Sequence, residues 1–250
     1  APCVLRPPLR DHLEVDVAVV GGGFLGLWTA YEILSQSPST TVAVLEADEI
    51  AHGASGRNGG FAMTLLDMSL ALLLRNYGRQ AAKEAHDAVA EAVHKIGQFG
   101  KEEGVEFDYH LGGLLVVATN PGHEQRVRAD LEAARELGLD CAVLHPAKLA
   151  RGLAAAVESK GASIFESSPA DSIEPTKKGV HLATPEGSLD ARAVALCTNA
   201  WASRLEWFKR KIVPLYTYVL LTEPLEVEQL SQIGWSNRQG IEDKRNYAHY

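Results

Sequence analysis

The sequence has 250 residues, of which 46% are hydrophobic and 22% charged, a composition typical of a globular protein with a sizeable core. The formal net charge of −8 argues against a nucleic-acid-binding protein, because such proteins are usually basic. No apolar run approaches the length of a membrane span, and three scattered cysteines without metal-ligand spacing favour a reducing compartment, which we take to be the cytoplasm.

The most informative stretch is a glycine-rich turn between two short apolar runs. Residues 15–20 (V-D-V-A-V-V) lead into G-G-G-F-L-G, and a helical pattern of apolar residues follows. A second apolar run, residues 41–45, ends in Glu46. This order predicts a strand, a tight turn, a helix and a second strand parallel to the first.

The glycine spacing suits the phosphates of a dinucleotide. Gly21 permits a sharp turn out of the strand, Gly23 permits close approach of a pyrophosphate, and Gly26 permits helix–strand packing. The amide groups at the helix start would face the phosphates. Glu46 can accept hydrogen bonds from a ribose diol and would repel a 2′-phosphate. The pattern favours FAD or NAD over NADP, and over a glycine turn with a purely structural role.

Residues 47–60 form a glycine-rich loop, A-D-E-I-A-H-G-A-S-G-R-N-G-G, with Arg57 and Asn58 as its polar groups. Many glycines near a phosphate site indicate close approach of the backbone to a ligand. A flexible surface loop is the alternative. We favour the ligand-binding interpretation because the loop directly follows the strand that ends in Glu46.

A long helical pattern occupies residues 68–103, and we expect Gly78 to divide it into two helices. His86 and His94 lie near its apolar stripe. Neither has a histidine or acidic partner at the spacing that a helix-borne metal site requires. Both are therefore predicted to lie on the helix surface, and no metal site is predicted.

The remaining segments alternate between strand and helix patterns. Asn120 is expected to cap a helix that begins at Pro121 and runs to Gly138, and a further helix is expected over residues 147–159. Asn199 should begin a helix after a buried strand and so offer further amide groups to a phosphate. Strands are predicted at residues 107–109, 113–119, 163–165, 180–184, 189–191, 192–198 and 212–222.

Two strings, V-V-G-G-G-F-L-G-L-W-T-A-Y-E and V-L-E-A-D-E-I-A-H-G-A-S-G-R-N-G-G-F, resemble the D-amino-acid oxidase (DAO) superfamily of FAD-dependent oxidoreductases. The A-S-G-R-N-G-G string is most similar to the branch that contains gamma-glutamylputrescine and aminophosphonate oxidoreductases. The later strings G-G-L-L-V-V-A-T-N and A-L-C-T-N-A-W also fit. The resemblance implies an α/β fold, with a Rossmann-like FAD-binding domain of the GR2 type and an interleaved α+β substrate domain.

The resemblance also implies roles for individual positions. The glycine turn would hold the FAD pyrophosphate, Glu46 the adenosine ribose, and the backbone of Ala170 the adenine. The loop from Ala54 would line the flavin side, and residues 198–200 would close over the phosphates. The implied cofactor-binding residues are Gly21, Gly22, Gly23, Phe24, Leu25, Gly26, Glu46, Ala47, Ala54, Ser55, Arg57, Asn58, Gly59, Gly60, Ala170, Thr198, Asn199 and Ala200.

Two interleaved domains are implied as well. The FAD-binding domain would comprise residues 1–67 and 139–205, and the substrate domain residues 68–138 and 206–250. Family members are longer and carry C-terminal glycine motifs that contact the isoalloxazine ring, and no such motif precedes Tyr250. The chain also lacks an initiator Met and is short between Cys141 and His145. We therefore expect an incomplete chain.

The function expected from the resemblance is FAD-dependent oxidation of a C–N bond in an amine or amino acid. Hydride would pass to flavin N5, the imine would be hydrolysed, and oxygen or another acceptor would take the electrons. One alternative is a non-catalytic or fragmentary FAD-binding protein. Another is an NAD-dependent dehydrogenase, against which the loop after Glu46 counts because it extends the site towards a flavin.

Aromatic residues near the C-terminus are candidates for the substrate pocket. They are Tyr216, Tyr247 and His249, whereas Tyr218 is expected to pack on a sheet face. His52 is close to the loop from Ala54 that would line the flavin side. We expect an exposed histidine there rather than a covalent link to the flavin. No catalytic residue is assigned, since an amine that binds in its neutral form needs no side-chain base.

Overall fold

The computed structural model describes residues 5–64, 68, 70–137, 141–143, 146–213, 218–220, 223–232 and 240–243. The chain divides into two compact units. The first comprises Ala1–Asn58 and Pro146–Val219, and the second comprises Gly59–His145 and Leu220–Tyr250. The assignment of one domain to FAD and another to the substrate stays a prediction.

The described residues contain ten strands and five α-helices. The strands are β1 (His12–Val20), β2 (Val42–Leu45), β3 (Phe61–Met63), β4 (Leu114–Val117), β5 (Cys141–Val143), β6 (Ser163–Phe165), β7 (Ser172–Pro175), β8 (Val180–Ala183), β9 (Ser188–Leu196) and β10 (Gly240–Asp243). The helices are α1 (Phe24–Gln36), α2 (Leu70–Glu102), α3 (Pro121–Leu137), α4 (Pro146–Ser159) and α5 (Val227–Gln232).

The first unit is built on a six-stranded sheet in the order β6-β2-β1-β9-β8-β7. Strands β6, β2, β1 and β9 run parallel, whereas β8 and β7 are antiparallel to their neighbours. Every residue of β2 is buried, as expected for a strand inside a parallel sheet that is covered on both faces. The strand–helix–strand order predicted for residues 15–45 is confirmed.

Helices α1 and α4 pack together in this unit. Helix α1 buries Leu27, Ala30 and Leu34, which recur at helical spacing and form one face. Helix α4 buries Leu149 and Leu153 in the same way. Gly161, in the positive-φ region at 99°, follows the end of α4, where a residue without a Cβ is favoured.

The four parallel strands end on one line across the sheet. Register pairs Phe165 of β6 with Leu45 of β2, Leu45 with Val20 of β1, and Val20 with Leu196 of β9. Ligands of open α/β sheets bind at the carboxyl ends of parallel strands. The fold therefore places the residues that follow these four strands at one edge, where a site is expected.

Helix α2 is the longest element of the second unit and bends at Gly78, where φ is 79° and ψ is 169°. The predicted division of this helix at Gly78 is therefore confirmed. The prediction of an exposed His86 is wrong, because His86 is 1% exposed and shares the buried face with Ala82 and Val93. No helix among the described residues is both long and apolar enough to cross a bilayer.

Helix α3 begins at Pro121 as predicted, and the Asn120 side chain caps it by accepting a hydrogen bond of 2.9 Å from the amide of His123. In the second unit, β3 pairs antiparallel with β5 and β4 pairs parallel with β10. Strands β3, β5 and β10, and also β7 of the first unit, were not predicted from the sequence.

Residues 107–109 are not a strand. Asp108 has a φ of 56°, outside the β region, while the Phe107 side chain is buried against Phe99. The Tyr109 hydroxyl donates a hydrogen bond of 3.1 Å to the carbonyl of Val93. Aromatic residues that pack on a helix therefore produced the strand pattern here.

The predicted strand at residues 212–222 is wrong for its described part. Ile212, Val213 and residues 218–220 lie outside any strand, and residues 214–217, 221 and 222 lie outside the described residues. Tyr218 is 93% exposed, so the prediction that it packs on a sheet is also wrong. Strand β9 runs from Ser188 to Leu196, and its Arg192 is exposed rather than buried.

Candidate dinucleotide site

The glycine turn leaves β1 at Gly21, whose φ of 113° favours glycine. Its amide donates a hydrogen bond of 2.8 Å to the carbonyl of Leu45, at the end of the neighbouring strand. A Cβ on Gly21 would lie 2.5 Å from the carbonyl oxygen of Cys197. The turn can therefore follow this path only without a side chain at Gly21.

Gly26 has the packing role that its position predicted. A Cβ there would overlap the carbonyl oxygen of Gly21 and approach Val19. At Gly23 the space for a Cβ is taken by the Ser55 hydroxyl oxygen, which would lie 2.8 Å away, and the predicted approach of a pyrophosphate to this glycine stays a prediction. The same hydroxyl accepts a hydrogen bond of 2.9 Å from the amide of Phe24, the first residue of α1. Because Gly23 has no side chain, the Ser55 side chain can reach the N-terminus of α1.

Glu46 follows β2 and bonds directly to the glycine turn. Its carboxylate accepts a hydrogen bond of 2.6 Å from the amide of Gly22 and one of 3.0 Å from the amide of Asp48. The carbonyl of Gly22 accepts a hydrogen bond of 3.1 Å from the amide of Ala51. Glu46 therefore lies against the turn as an acceptor, in the place expected for the group that binds a ribose.

The loop after Glu46 contains a short 3₁₀ turn, Ala54–Gly56, and is ordered by its own polar groups. The Asn58 side chain donates hydrogen bonds of 3.0 Å to the carbonyls of Ala54 and Ser55. The Arg57 guanidinium lies 3.2 Å from Nε2 of His52. Asn58 therefore stabilises the loop, and it is exposed, as are Ala47, Ala54 and Arg57.

The chain after β9 forms the other side of the site. The amide of Cys197 donates a hydrogen bond of 2.8 Å to the carbonyl of Val20. The Oγ1 atom of Thr198 is buried and has no hydrogen-bond partner among the described residues. A buried hydroxyl without a partner is unfavourable and indicates a missing ligand group or solvent. Burial raises the pKa of the Cys197 thiol, and a hydrogen bond with Thr29 opposes that shift.

The predicted helix at Asn199 is a 3₁₀ helix, Asn199–Arg204. Asn199 has a φ of 45°, and Ala200 is the next residue of this turn. Two other non-glycine residues with positive φ, Ala51 at 64° and Ser167 at 50°, follow β2 and β6. Backbone strain of this kind concentrates at functional sites. Here it occurs after three of the four parallel strands.

Ala170 is half-buried and packs on the hydrophobic core of the sheet. The nearby Ser168 amide donates a hydrogen bond of 2.7 Å to the carbonyl of Glu46, so this segment lies beside the loop after β2. Glu166 was missed in the sequence, although it is an acid directly after a short apolar strand, as Glu46 is. That shared pattern is the signal that could have identified it.

The residues present fit a bound dinucleotide. The side-chain-free turn leads into α1, whose first amides lack acceptors within the helix, as at any helix start. A carboxylate stands at the carboxyl end of the adjacent strand, and the hydroxyl of Thr198 is available across the turn. These groups match a pyrophosphate and a ribose diol.

Several predicted positions are not part of the contacts described above. Leu25 is exposed on α1, and Gly59 and Gly60 belong to the second unit. The substrate candidates Tyr216, Tyr247 and His249 lie outside the described residues. The roles assigned to all of these positions stay predictions.

The chain matches the family model "DAO: FAD dependent oxidoreductase" over residues 16–143 and 137–250. It is 29% identical over 245 residues to gamma-glutamylputrescine oxidoreductase of Escherichia coli K12, which covers 87% of this chain and 57% of that protein. It is 28% identical over 251 residues to the probable oxidoreductase OrdL of Haemophilus influenzae, which covers 88% of this chain and 58% of that protein. The chain thus spans little more than half the length of these relatives.

Solved structures with the same fold include two proteins of low sequence identity. Glycine oxidase from Geobacillus kaustophilus aligns with a TM-score of 0.65 at 22% identity, over 77% of this chain and 57% of that chain. L-amino acid deaminase from Proteus vulgaris aligns with a TM-score of 0.61 at 18% identity, over 84% of this chain and 52% of that chain. At these identities the likeness concerns the fold, and it agrees with the α/β architecture predicted from the sequence.

Proposed function

The chain belongs to the DAO family of FAD-dependent oxidoreductases, and on that premise we propose that it serves the oxidation of a C–N bond in an amine or amino acid. The observation that supports this most directly is the hydrogen bond that the amide of Gly22 donates to the Glu46 carboxylate. That contact supports Glu46 as the acceptor for a ribose, because it lies beside a turn suited to a pyrophosphate. It supports FAD as the cofactor. The similarity to the relatives supports an amine or amino acid as the substrate.

The residues of this chain bind and orient the cofactor. Glu46 accepts hydrogen bonds from the adenosine ribose. The amides in the first turn of α1 after Phe24, whose own amide bonds to Ser55, face the pyrophosphate. Thr198 donates its hydroxyl hydrogen to a phosphate oxygen, which satisfies an otherwise orphaned group. Arg57 and Asn58 lie in the loop that leads towards the flavin. When bound, FAD supplies the acceptor at N5 for the hydride that leaves the substrate carbon next to nitrogen.

An amine or amino acid is the proposed substrate class. The E. coli relative is named for gamma-glutamylputrescine, and one structural neighbour is a glycine oxidase. Oxidation of the substrate's C–N bond gives an imine, and water converts it to a carbonyl compound and a released amine or ammonia. Oxygen or another acceptor takes the electrons. We propose the cytoplasm as the compartment, because the cysteines follow no disulfide pattern.

We propose that residues 1–67 and 139–205 hold FAD and that residues 68–138 and 206–250 belong to a substrate domain. Tyr216, Tyr247 and His249 remain the candidates for contact with substrate. The second candidate function is FAD binding without catalysis. It is favoured by one specific observation, since the contacts of the described site, such as the Glu46 carboxylate with the amide of Gly22, concern the cofactor alone.

Product analysis separates the two functions. The purified protein is incubated with FAD and a panel that includes gamma-glutamylputrescine, glycine and other primary and secondary amines. A carbonyl product seen by mass spectrometry, absent when FAD is omitted, supports amine oxidation. Bound FAD without product from any member of the panel favours the binding function.

A further inference from the structure

Glu166 is a buried carboxylate that the proposed function does not use. It follows β6 directly and is 1% exposed. Its Oε1 accepts a hydrogen bond of 2.6 Å from the amide of Ile50, and its Oε2 accepts one of 2.6 Å from the amide of Arg6. A buried carboxylate is costly unless it is fully hydrogen-bonded, and here both oxygens have a backbone donor. One side chain therefore joins Arg6, in the segment before β1, to the loop after β2.

The segment that begins at Glu166 runs beside the loop after β2. Two backbone hydrogen bonds of 2.7 Å join them, from the Ser168 amide to the Glu46 carbonyl and from the Ser167 amide to the Asp48 carbonyl. The hydrogen bond from Ile50 to the Glu166 carboxylate is the third contact and comes two residues further along the loop. It is the contact that depends on a side chain, and so it can be removed by substitution.

Ile50 stands next to the residues that touch the glycine turn. The following amide, that of Ala51, donates to the carbonyl of Gly22, while the Gly22 amide donates to Glu46. The Ile50 side chain also covers Gly22, since a Cβ there would lie 2.5 Å from Cδ1 of Ile50. Ala51 has a φ of 64°, a conformation that its surroundings must hold in place. Displacement of Ile50 would therefore move both contacts of Gly22.

We propose that Glu166 is a positioning residue for the adenosine side of the cofactor site. Its carboxylate fixes the backbone of Ile50, and through Ile50 and Ala51 it sets the distance between the glycine turn and Glu46. The inference rests on the proposed function only for the identity of the cofactor, not for the oxidation of an amine. The test of this inference measures cofactor affinity. A negative result can therefore be distinguished from a failure of the proposal of amine oxidation.

The test compares Glu166→Gln with Arg6→Met in the full chain. Glutamine keeps one acceptor oxygen and turns an NH₂ group towards the second backbone donor, so it can satisfy only one of the two amides. Arg6→Met removes the guanidinium, which bonds to Glu158 at 2.7 and 2.8 Å and forms an ion pair of 3.8 Å with Oε1 of Glu166. It keeps the hydrogen bond from the Arg6 backbone amide to Glu166. Arg6→Met therefore removes the ion pair of Glu166 but keeps both of its backbone hydrogen bonds, including the one from Ile50, so the comparison tests the hydrogen bond rather than the charge pairing.

The measurements are the dissociation constants of FAD, from flavin fluorescence, and of ADP, by competition with FAD. Glu166→Gln should weaken both ligands about tenfold or more, the effect of losing a hydrogen bond to a charged group. Arg6→Met should lower the melting temperature and leave both constants unchanged. Hydrogen exchange at residues 47–56 should be faster in Glu166→Gln than in Arg6→Met.

Unchanged affinities in Glu166→Gln, or losses in both variants that follow their melting temperatures, would overturn the proposal and leave Glu166 a structural residue. Glu166→Asp is the second variant if Glu166→Gln fails to fold. It keeps both acceptor oxygens on a shorter side chain, so a smaller loss of FAD and ADP affinity is expected. The absence of any loss in Glu166→Asp, with faster exchange at residues 47–56, would also contradict the proposal.

Discussion

The carboxylate of Glu46 accepts a hydrogen bond of 2.6 Å from the amide of Gly22, although 24 residues separate the two positions. The parallel register of β1 and β2 brings them together, because Val20 pairs with Leu45. The turn and the acid therefore meet at the carboxyl edge of the sheet. This contact is the basis of the cofactor assignment.

Replacement of Glu46 by Gln should weaken FAD binding about tenfold to a hundredfold, because a neutral amide is a weaker acceptor for two ribose hydroxyls. Flavin fluorescence titration measures the constant. Glu32→Gln, on the exposed face of α1, is the matched control and should bind FAD as the unaltered chain does. Equal affinities for Glu46→Gln and Glu32→Gln would remove Glu46 from the site.

Gly26→Ala should lower the free energy of unfolding by about 3 kcal/mol or more, because the new methyl group overlaps the carbonyl of Gly21 in a packed core. Gly53→Ala is the control, since a Cβ at Gly53 meets nothing within 4 Å. It should change stability by less than about 0.5 kcal/mol. Urea denaturation followed by circular dichroism measures both. Similar stabilities of the two variants would be inconsistent with the packing of α1 on the turn.

Thr198→Val should raise the stability of the protein without FAD and lower its affinity for FAD. Without FAD, loss of a buried hydroxyl that lacks a partner should raise stability by up to about 1 kcal/mol. With FAD, loss of a donor to phosphate should weaken binding about tenfold. Thr198→Ser keeps the hydroxyl and should retain affinity. Calorimetric melting with and without FAD measures both effects, and equal affinity of Val and Ser variants would exclude a phosphate contact.

The stability of the first unit should depend on pH through Asp16. Backbone and side-chain hydrogen bonds from Thr41, helped by Arg192, lower the pKa of Asp16 in the folded protein. Its contribution is therefore complete above the ordinary aspartate pKa and is lost as pH falls through the lowered one.

Asp16→Asn should accordingly be less stable than the unaltered chain at pH 7, and the difference should disappear in acid. Denaturation at a series of pH values measures it, with Asp11→Asn, at an exposed position just before β1, as the control. A difference that persists unchanged at the lowest pH would show that the charge of Asp16 is not its cause.

The Cys197 thiol should react slowly with iodoacetamide at neutral pH, because burial raises its pKa and the thiolate is the reactive form. The rate should rise with pH above the ordinary cysteine range and should increase strongly in urea. Mass spectrometry of the peptide that contains Cys197 follows the reaction. Rapid alkylation of the folded protein at pH 7 would contradict the raised pKa of this half-buried thiol.

The turn, helix α1, strand β2 and Glu46 could be predicted because the relevant signals are local and agree with one another. Glycine spacing, apolar periodicity and a terminal acid all lie within one stretch of sequence. The burial of His86 on α2 was harder to predict. Its polar side chain suggests an exposed position, although it packs among apolar residues. Residues 107–109 have strand-like composition, but their aromatic side chains pack on α2 instead.

The support behind the site was not predictable in the same way. Glu166 meets Ile50 across 116 residues and Arg6 across 160, and no local pattern encodes such pairing. Ser55 reaches the first amide of α1 from a loop that the sequence assigns to the flavin side. These contacts depend on which strands become neighbours in the sheet, and single-sequence patterns leave that order open.

The most direct test of the central claim is an absorbance spectrum of the purified protein, repeated without oxygen after addition of primary and secondary amines and amino acids. An amine-oxidising flavoprotein shows the yellow bands of oxidised flavin, and at least one member of the panel bleaches them. Flavin bands that no amine or amino acid bleaches would contradict amine oxidation. Failure to take up FAD at all would contradict the assignment of the glycine turn and Glu46 as its site.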